Sequence, residues 1–218
     1  MREMLRDLRG LLAGCGADWA VCGGFAIELF LGRETRPHGD LDLAVPEEDR
    51  REVERFMQEQ GWLVYEFRGQ GKLRRLTDGA LSEPGRNLMC LREGCDLVTF
   101  WPCDEPGLVL HEWHASGIRT LNYMEFLFHR REGGAMLLGD ARREVDRAIL
   151  RRDGVPCLAP EVVLLLKAAQ PEREANQQDF AAAFPALTEE RRGWLLDSIR
   201  RQYPGGHPWL TGEAVSRA

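Results

Sequence analysis

Asp40 and Asp42 stand two residues apart in Asp40-Leu41-Asp42-Leu43-Ala44-Val45, where acid and leucine alternate with the period of a β-strand. On such a strand both carboxylates project from one face while Leu41 and Leu43 turn to the core. Two ionised carboxylates this close repel each other unless a cation or a proton lies between them. Mg²⁺ prefers oxygen ligands and commonly takes one or two carboxylates together with substrate phosphates, so it suits such a pair. An isolated Asp-x-Asp is also the ordinary solvent side of an edge strand, and what precedes the pair gives it meaning. Gly23-Gly24 ends a short apolar stretch at residues 18–22 and opens an apolar helical segment at 25–31. Backbone N–H groups at such a turn let a triphosphate approach closely.

The stretch Trp19-Ala20-Val21-Cys22-Gly23-Gly24-Phe25-Ala26-Ile27-Glu28, continued by Arg36-Pro37-His38-Gly39-Asp40-Leu41-Asp42-Leu43, resembles the nucleotidyltransferase superfamily that includes DNA polymerase β. Within it, the pattern is similar to the antibiotic-modifying adenylyltransferases of the aminoglycoside-2″ and lincosamide type. The resemblance is strong over residues 19–45 and loose to about residue 101. Ala159-Pro160-Glu161-Val162-Val163-Leu164-Leu165-Leu166-Lys167-Ala168 also looks like the helical domain of these enzymes.

That resemblance implies a third carboxylate on a neighbouring strand. Asp96, in Cys95-Asp96-Leu97-Val98, is the expected match, because a charged residue inside an apolar strand needs a partner or a metal. A salt bridge to an arginine is the alternative reading of Asp96, and Glu66 and Asp104 are alternative third acids. The implied reaction is in-line attack of an acceptor hydroxyl on the α-phosphate of ATP or another nucleoside triphosphate, with pyrophosphate leaving. It would use two Mg²⁺ ions held by Asp40, Asp42 and Asp96. Arg36 and His38 either touch phosphate or fix the loop before the acids. Lys167 either snorkels to water or reaches the triphosphate. Glu28 is open to a structural or a functional role. His111 and His114 flank Trp113, but no third ligand stands in register for a metal.

The elements that must position these groups follow from periodicity. Leu5, Leu8, Leu11 and Leu12 give an amphipathic first helix. A helix is expected from Pro46 to about Gln60, a strand at 62–67, a hairpin of 87–91 with 95–101, an irregular stretch at 102–117 and a short strand at 118–121. Three helices are expected beyond Pro160. The expected fold is α+β: a polymerase β-like head of mixed sheet and helices at residues 1–155, and a C-terminal helical domain at 156–218.

Composition narrows the partners. The 218 residues carry 44% hydrophobic side chains, enough for a sizeable core. No apolar run approaches the roughly 18–20 residues of a membrane span, and a cytoplasmic protein is expected. Six cysteines without zinc-ligand spacing read as reduced core residues. A net charge of −6 provides no global basic field for nucleic acid, although Arg74-Arg75, Arg130-Arg131 and Arg142-Arg143 form local clusters that read as solvated faces. The acidic balance suits a small cationic acceptor, and the resemblance implies the hydroxyl of a small molecule such as an aminoglycoside-like antibiotic. The alternatives are a toxin-type enzyme modifying RNA or protein, and a nucleotide-binding module without turnover. Neither the oligomeric state nor the nucleotide base is written in these residues.

Overall fold

A computed structural model describes residues 2–77, 79–114, 117–118 and 120–211. Helix α1 (Arg2–Leu12) leads into β1 (Ala20–Val21), α2 (Gly23–Leu31), β2 (Asp42–Pro46) and α3 (Arg50–Glu59). Six strands follow: β3 (Leu63–Gly69), β4 (Lys72–Leu76), β5 (Leu88–Leu91), β6 (Val98–Pro102), β7 (Leu108–Trp113) and β8 (Tyr123–His129). The chain continues with β9 (Arg131–Glu132), β10 (Ala135–Leu138), β11 (Ala141–Glu144), α4 (Val145–Ala148), β12 (Ile149–Arg152) and β13 (Val155–Leu158). It closes with α5 (Pro160–Lys167), α6 (Glu174–Ala183) and α7 (Glu189–Gln202). Among the described residues no helix is long and apolar enough to cross a membrane.

These elements form two compact units interleaved in sequence. The first takes Met1–Ala20 and Pro37–Arg130, the second Val21–Arg36 and Arg131–Ala218. Residue 155, expected as a domain boundary, begins β13 inside the second unit.

In the first unit seven strands run in the order β2-β8-β5-β3-β4-β7-β6. The β2–β8 pair is parallel and the others are antiparallel. Tyr65, Leu73, Met89, Leu91, Leu97, Val98 and Tyr123 form a buried core cluster. Leu5, Leu8 and Leu12 of α1 and Val53, Phe56 and Met57 of α3 are also buried, at the spacing of apolar helix stripes.

The expected hairpin of 87–91 with 95–101 does not form. Strand β5 pairs with β3 and β8, and β6 starts only at Val98 and pairs with β7. Strand β7 occupies the stretch expected to be irregular, and it competes successfully for β6 because Val98↔Trp113 to Pro102↔Val109 provide a full ladder. The short strand expected at 118–121 includes Arg119, which lies outside the described residues; the described strand is β8.

In the second unit Val21 of β1 pairs in parallel with Cys157 of β13, and β12 runs antiparallel to β13. Strands β9, β10 and β11 make a separate three-stranded sheet. Helix α2 packs against α5 and α6, and α5 packs against α7. The three C-terminal helices match the periodicity of the sequence, while the strands from 131 to 158 were not foreseen.

Two arginines expected on solvated faces are instead engaged in ion pairs. The burial of β11 alternates, so Ala141 and Arg143 point inward. Arg143 pairs at 2.7 Å with the wholly buried Glu161 of α5, whose other oxygen takes Arg191 of α7 at 2.7 Å. Arg74 and Arg68 each lie 2.6 Å from the wholly buried Glu66 of β3, which also accepts the Glu83 N–H at 2.9 Å. Burial pushes the Glu66 carboxyl up, but the hydrogen bonds of Arg68 and Arg74 outweigh it and hold it below the ordinary glutamate range.

Glu161→Gln should destabilise the protein by about 3 kcal/mol, since it leaves two guanidinium groups short of their buried acceptor. Chemical denaturation measures this, and an unchanged midpoint would remove the cluster from the account of stability. Glu66 predicts an acid effect with a definite sign. Its depressed folded value means that its contribution is present above the unfolded value of about 4.3 and is lost as pH falls through the folded value. The stability advantage of wild type over Glu66→Gln should therefore shrink on acidification; a constant difference down to about pH 3 would contradict the assignment.

Candidate active site

The first unit holds the acids. Leu41 and Leu43 are completely buried, whereas Asp40 is exposed and Asp42 half-buried, so the leucines fix which way the carboxylates face. The carbonyl of Leu41 accepts the N–H of Glu125 at 2.9 Å, and Asp42 stands in parallel register with Glu125 of β8. Residues in register on adjacent strands present their side chains on the same face.

Glu125 is an acid that the reading of the sequence missed. The Tyr123 hydroxyl donates to its Oε1 at 2.5 Å. Burial pushes the Glu125 carboxyl up to about 7; the Tyr123 hydrogen bond acts against that rise, and the negative charge of Asp40 adds to it. Burial also pushes the Tyr123 phenol well up, reinforced by Glu125 and then by Asp40 and Asp42, so Tyr123 remains a hydroxyl donor. The wholly buried acids Glu66, Glu161 and Asp179 are each gripped by two cations. Glu125 has no such partner among the described residues.

Asp96 is not brought to this place. It sits exposed in a turn before β6, and β6 lies at the other end of the seven-strand order from β2. The turn at Gly94, with its positive φ of 78°, delays the strand and leaves Asp96 outside it. Glu66 is committed to its arginines, and Asp104 is exposed between β6 and β7.

The loop leading to Asp40 is tightly held. His38 is buried, and its carbonyl accepts the Ile118 N–H at 2.7 Å. A Cβ on Gly39 would lie 3.1 Å from Nε1 of Trp113, whose ring stands 4.4 Å from that of Tyr123. His111 and His114 are engaged separately, His111 Nδ1 with the Gly71 carbonyl at 2.7 Å and His114 Nε2 with Thr99 Oγ1 at 2.6 Å.

Groups suited to phosphate lie in the second unit. Gly23 begins α2 with φ 63°, a left-handed conformation that glycine adopts without penalty, and the first turn of α2 contains no acid to repel an anion. Glu28, almost completely buried on α2, accepts the Thr35 N–H at 2.6 Å and the Arg36 N–H at 3.3 Å. The Arg36 guanidinium makes a bidentate pair with Asp179 of α6, with Nε to Oδ1 and Nη2 to Oδ2 both at 2.9 Å. Lys167 Nζ reaches the same Oδ2 at 3.0 Å and Asn176 Oδ1 at 3.1 Å. Lys167 therefore does not simply snorkel to water, and Glu28 braces the Arg36 backbone.

Among the described residues no three His, Cys, Asp or Glu side chains converge as a ready-formed metal site. The donor chemistry nevertheless fits Mg²⁺: oxygens alone, with a carboxyl driven toward its neutral form partly by the charge of a neighbouring carboxylate. All six cysteines are free thiols, and Cys22, Cys90 and Cys157 are buried.

A model of the aminoglycoside-2″-adenylyltransferase family matches residues 4–70. Over 61 residues the chain is 42% identical to 2″-aminoglycoside nucleotidyltransferases of Escherichia coli and Klebsiella pneumoniae. That match covers 28% of this chain and 34% of each relative, so the chain spans about a third of the length of the curated relatives it matches. The solution structure of the antibiotic-resistance factor ANT(2″)-Ia superposes with a TM-score of 0.55 at 17% identity, covering 93% of this chain and 92% of that one. The crystal structure of ANT(2″)-Ia in complex with adenylyl-2″-tobramycin gives 0.54 at 18% identity, covering 92% and 99%. The chain thus has the α+β fold of these nucleotidyltransferases, and the stretch that carries the sequence match includes Gly23-Gly24, Asp40 and Asp42.

Proposed function

We propose that this chain is a metal-dependent nucleotidyltransferase that moves AMP from ATP to a hydroxyl of a small molecule of the aminoglycoside type. The observation that carries the reading is the register of Asp42 with Glu125, beside Asp40, on a strand that follows a Gly-Gly helix start. The partial match to 2″-aminoglycoside nucleotidyltransferases and the shared fold support the reaction class. The acidic net charge favours a cationic acceptor over a polyanion.

In this mechanism a bond forms between the acceptor oxygen and the α-phosphorus, and the bond to the leaving pyrophosphate breaks. The N–H groups at Gly23-Gly24, with Arg36 and Lys167, bind the phosphates. Asp40 and Asp42, joined by Glu125, would hold two Mg²⁺ ions, which when bound supply positive charge against the phosphates and the attacking oxygen. Glu125, in register with Asp42, takes the proton of the acceptor hydroxyl as the general base. Tyr123 orients that carboxylate through its hydroxyl. His38 keeps the loop before Asp40 in place. Catalysis is then chiefly positioning and charge stabilisation.

Pyrophosphate release from MgATP, measured against a panel of aminoglycosides, lincosamides and bulk tRNA, tests the reading. Asp42→Asn should lower turnover at least about 100-fold with the best acceptor. Release that persists undiminished in this variant would end the two-metal assignment, and turnover with tRNA alone would move the function to RNA modification. Glu125→Gln should cost roughly 10²- to 10⁴-fold in kcat, the range for loss of a general base. Asp96→Asn should stay within about threefold of wild type, as for a surface residue away from the chemistry. The reverse ranking of these two variants would return the third-acid role to Asp96.

A further inference from the structure

Resting on the phosphate-binding role of Arg36 and Lys167, we propose that Asp179 is the positioning residue that sets both cations for the triphosphate. Arg36 comes from the loop after α2, Lys167 from the end of α5 and Asp179 from the middle of α6, and these three helices pack together. Both oxygens of Asp179 are used. One takes Nε of Arg36, and the other takes Nη2 of Arg36 together with Nζ of Lys167.

Asp179 is wholly inaccessible to solvent. Burial raises its carboxyl, yet the hydrogen bond and charge of Arg36 and Lys167 outweigh that effect and leave it below the ordinary aspartate range, so it is ionised at neutral pH. A buried acid is a poor device for stability alone, because a well-packed apolar side chain in its place is often neutral or stabilising. What a fixed carboxylate supplies is geometry. Arg and Lys side chains are flexible, and holding each in one rotamer before a ligand arrives removes part of the ordering cost of binding.

The local contacts extend this arrangement. Glu28 holds the Arg36 backbone while Asp179 holds its guanidinium, so the residue is fixed at both ends. Asn176, one turn before Asp179 on α6, accepts from Lys167 and donates to the Lys167 and Gln170 carbonyls, which ties the ammonium to its own helix end. A lysine ammonium has three donors, and two of them are taken by Asp179 and Asn176. Among the described residues the third meets no acceptor, and it suits an anionic oxygen.

Calorimetric titration of MgATP into the intact chain tests this without an acceptor. Asp179→Asn should weaken MgATP binding about tenfold, the order of one charge-assisted hydrogen bond. Lys167→Met should weaken it similarly, and the Asp179→Asn/Lys167→Met double variant should lose less than the product of the two single losses. A purely structural Asp179 would give independent effects, so a fully multiplicative double variant overturns the inference, as does an unchanged affinity in Asp179→Asn. If Asp179→Asn fails to fold, Asp179→Glu keeps the charge and displaces it by one methylene. Weakened MgATP binding in a folded Asp179→Glu then supports the inference, and unchanged binding overturns it. Wild type that binds no MgATP would remove the proposed function and this inference together, whereas wild-type binding with an indifferent Asp179 removes the inference alone.

Discussion

The register of β2 against β8 is the constraint on which the acidic site depends. Leu41, Leu43, Met124 and Phe126 are all completely buried, and a slip of one residue in either strand would turn this apolar set out of the core. Core burial therefore forces Asp42 beside Glu125, with Asp40 two residues upstream, although like charges at close range oppose the arrangement. Fully burying one large aliphatic or aromatic side chain contributes about 1.5–3 kcal/mol, and four such residues hold the register against the repulsion between the carboxylates. The site is strained electrostatically because it is well packed beneath.

Three wholly buried acids show one way this protein stabilises an interior carboxylate. Glu66 is met by Arg68 and Arg74, Glu161 by Arg143 and Arg191, and Asp179 by Arg36 and Lys167. Each pairing removes the cost of an isolated interior charge. Glu125 is met by a tyrosine hydroxyl and by the field of Asp40 instead. Glu125, without such a pair of cations among the described residues, is the acid proposed above to meet a charge from outside.

The sequence carried the donor half of this picture more clearly than the rest. Gly23-Gly24 and the Asp-Leu-Asp alternation are local signals: a turn, a helix start and a period-two strand, each set within a few residues. The C-terminal helices were legible because their apolar positions recur at helical spacing over a full helix length. Glu125 obeys the rule that singled out Asp96, an acid within an apolar strand, since it lies in Tyr123-Met124-Glu125-Phe126-Leu127-Phe128. The choice between them depends on strand order, which is a long-range property that periodicity does not encode. The same holds for Arg143, whose inward direction follows from a four-residue strand too short to announce its phase, and for the hairpin that β7 displaced.

Gly39 is constrained by its surroundings and not by its backbone conformation. In Arg36-Pro37-His38-Gly39-Asp40 the glycine is not among the residues with positive φ. Its constraint is space: a Cβ would sit 3.1 Å from the indole nitrogen of Trp113 and 3.3 Å from Cζ2. Trp113 in turn rests against Tyr123, and Tyr123 holds Glu125. The absence of a side chain at residue 39 thus lets an aromatic pair close behind the loop that delivers Asp40. The same pair places the hydroxyl that orients the third acid. A residue with no functional group is in this way connected, through two rings and one hydrogen bond, to the proposed base.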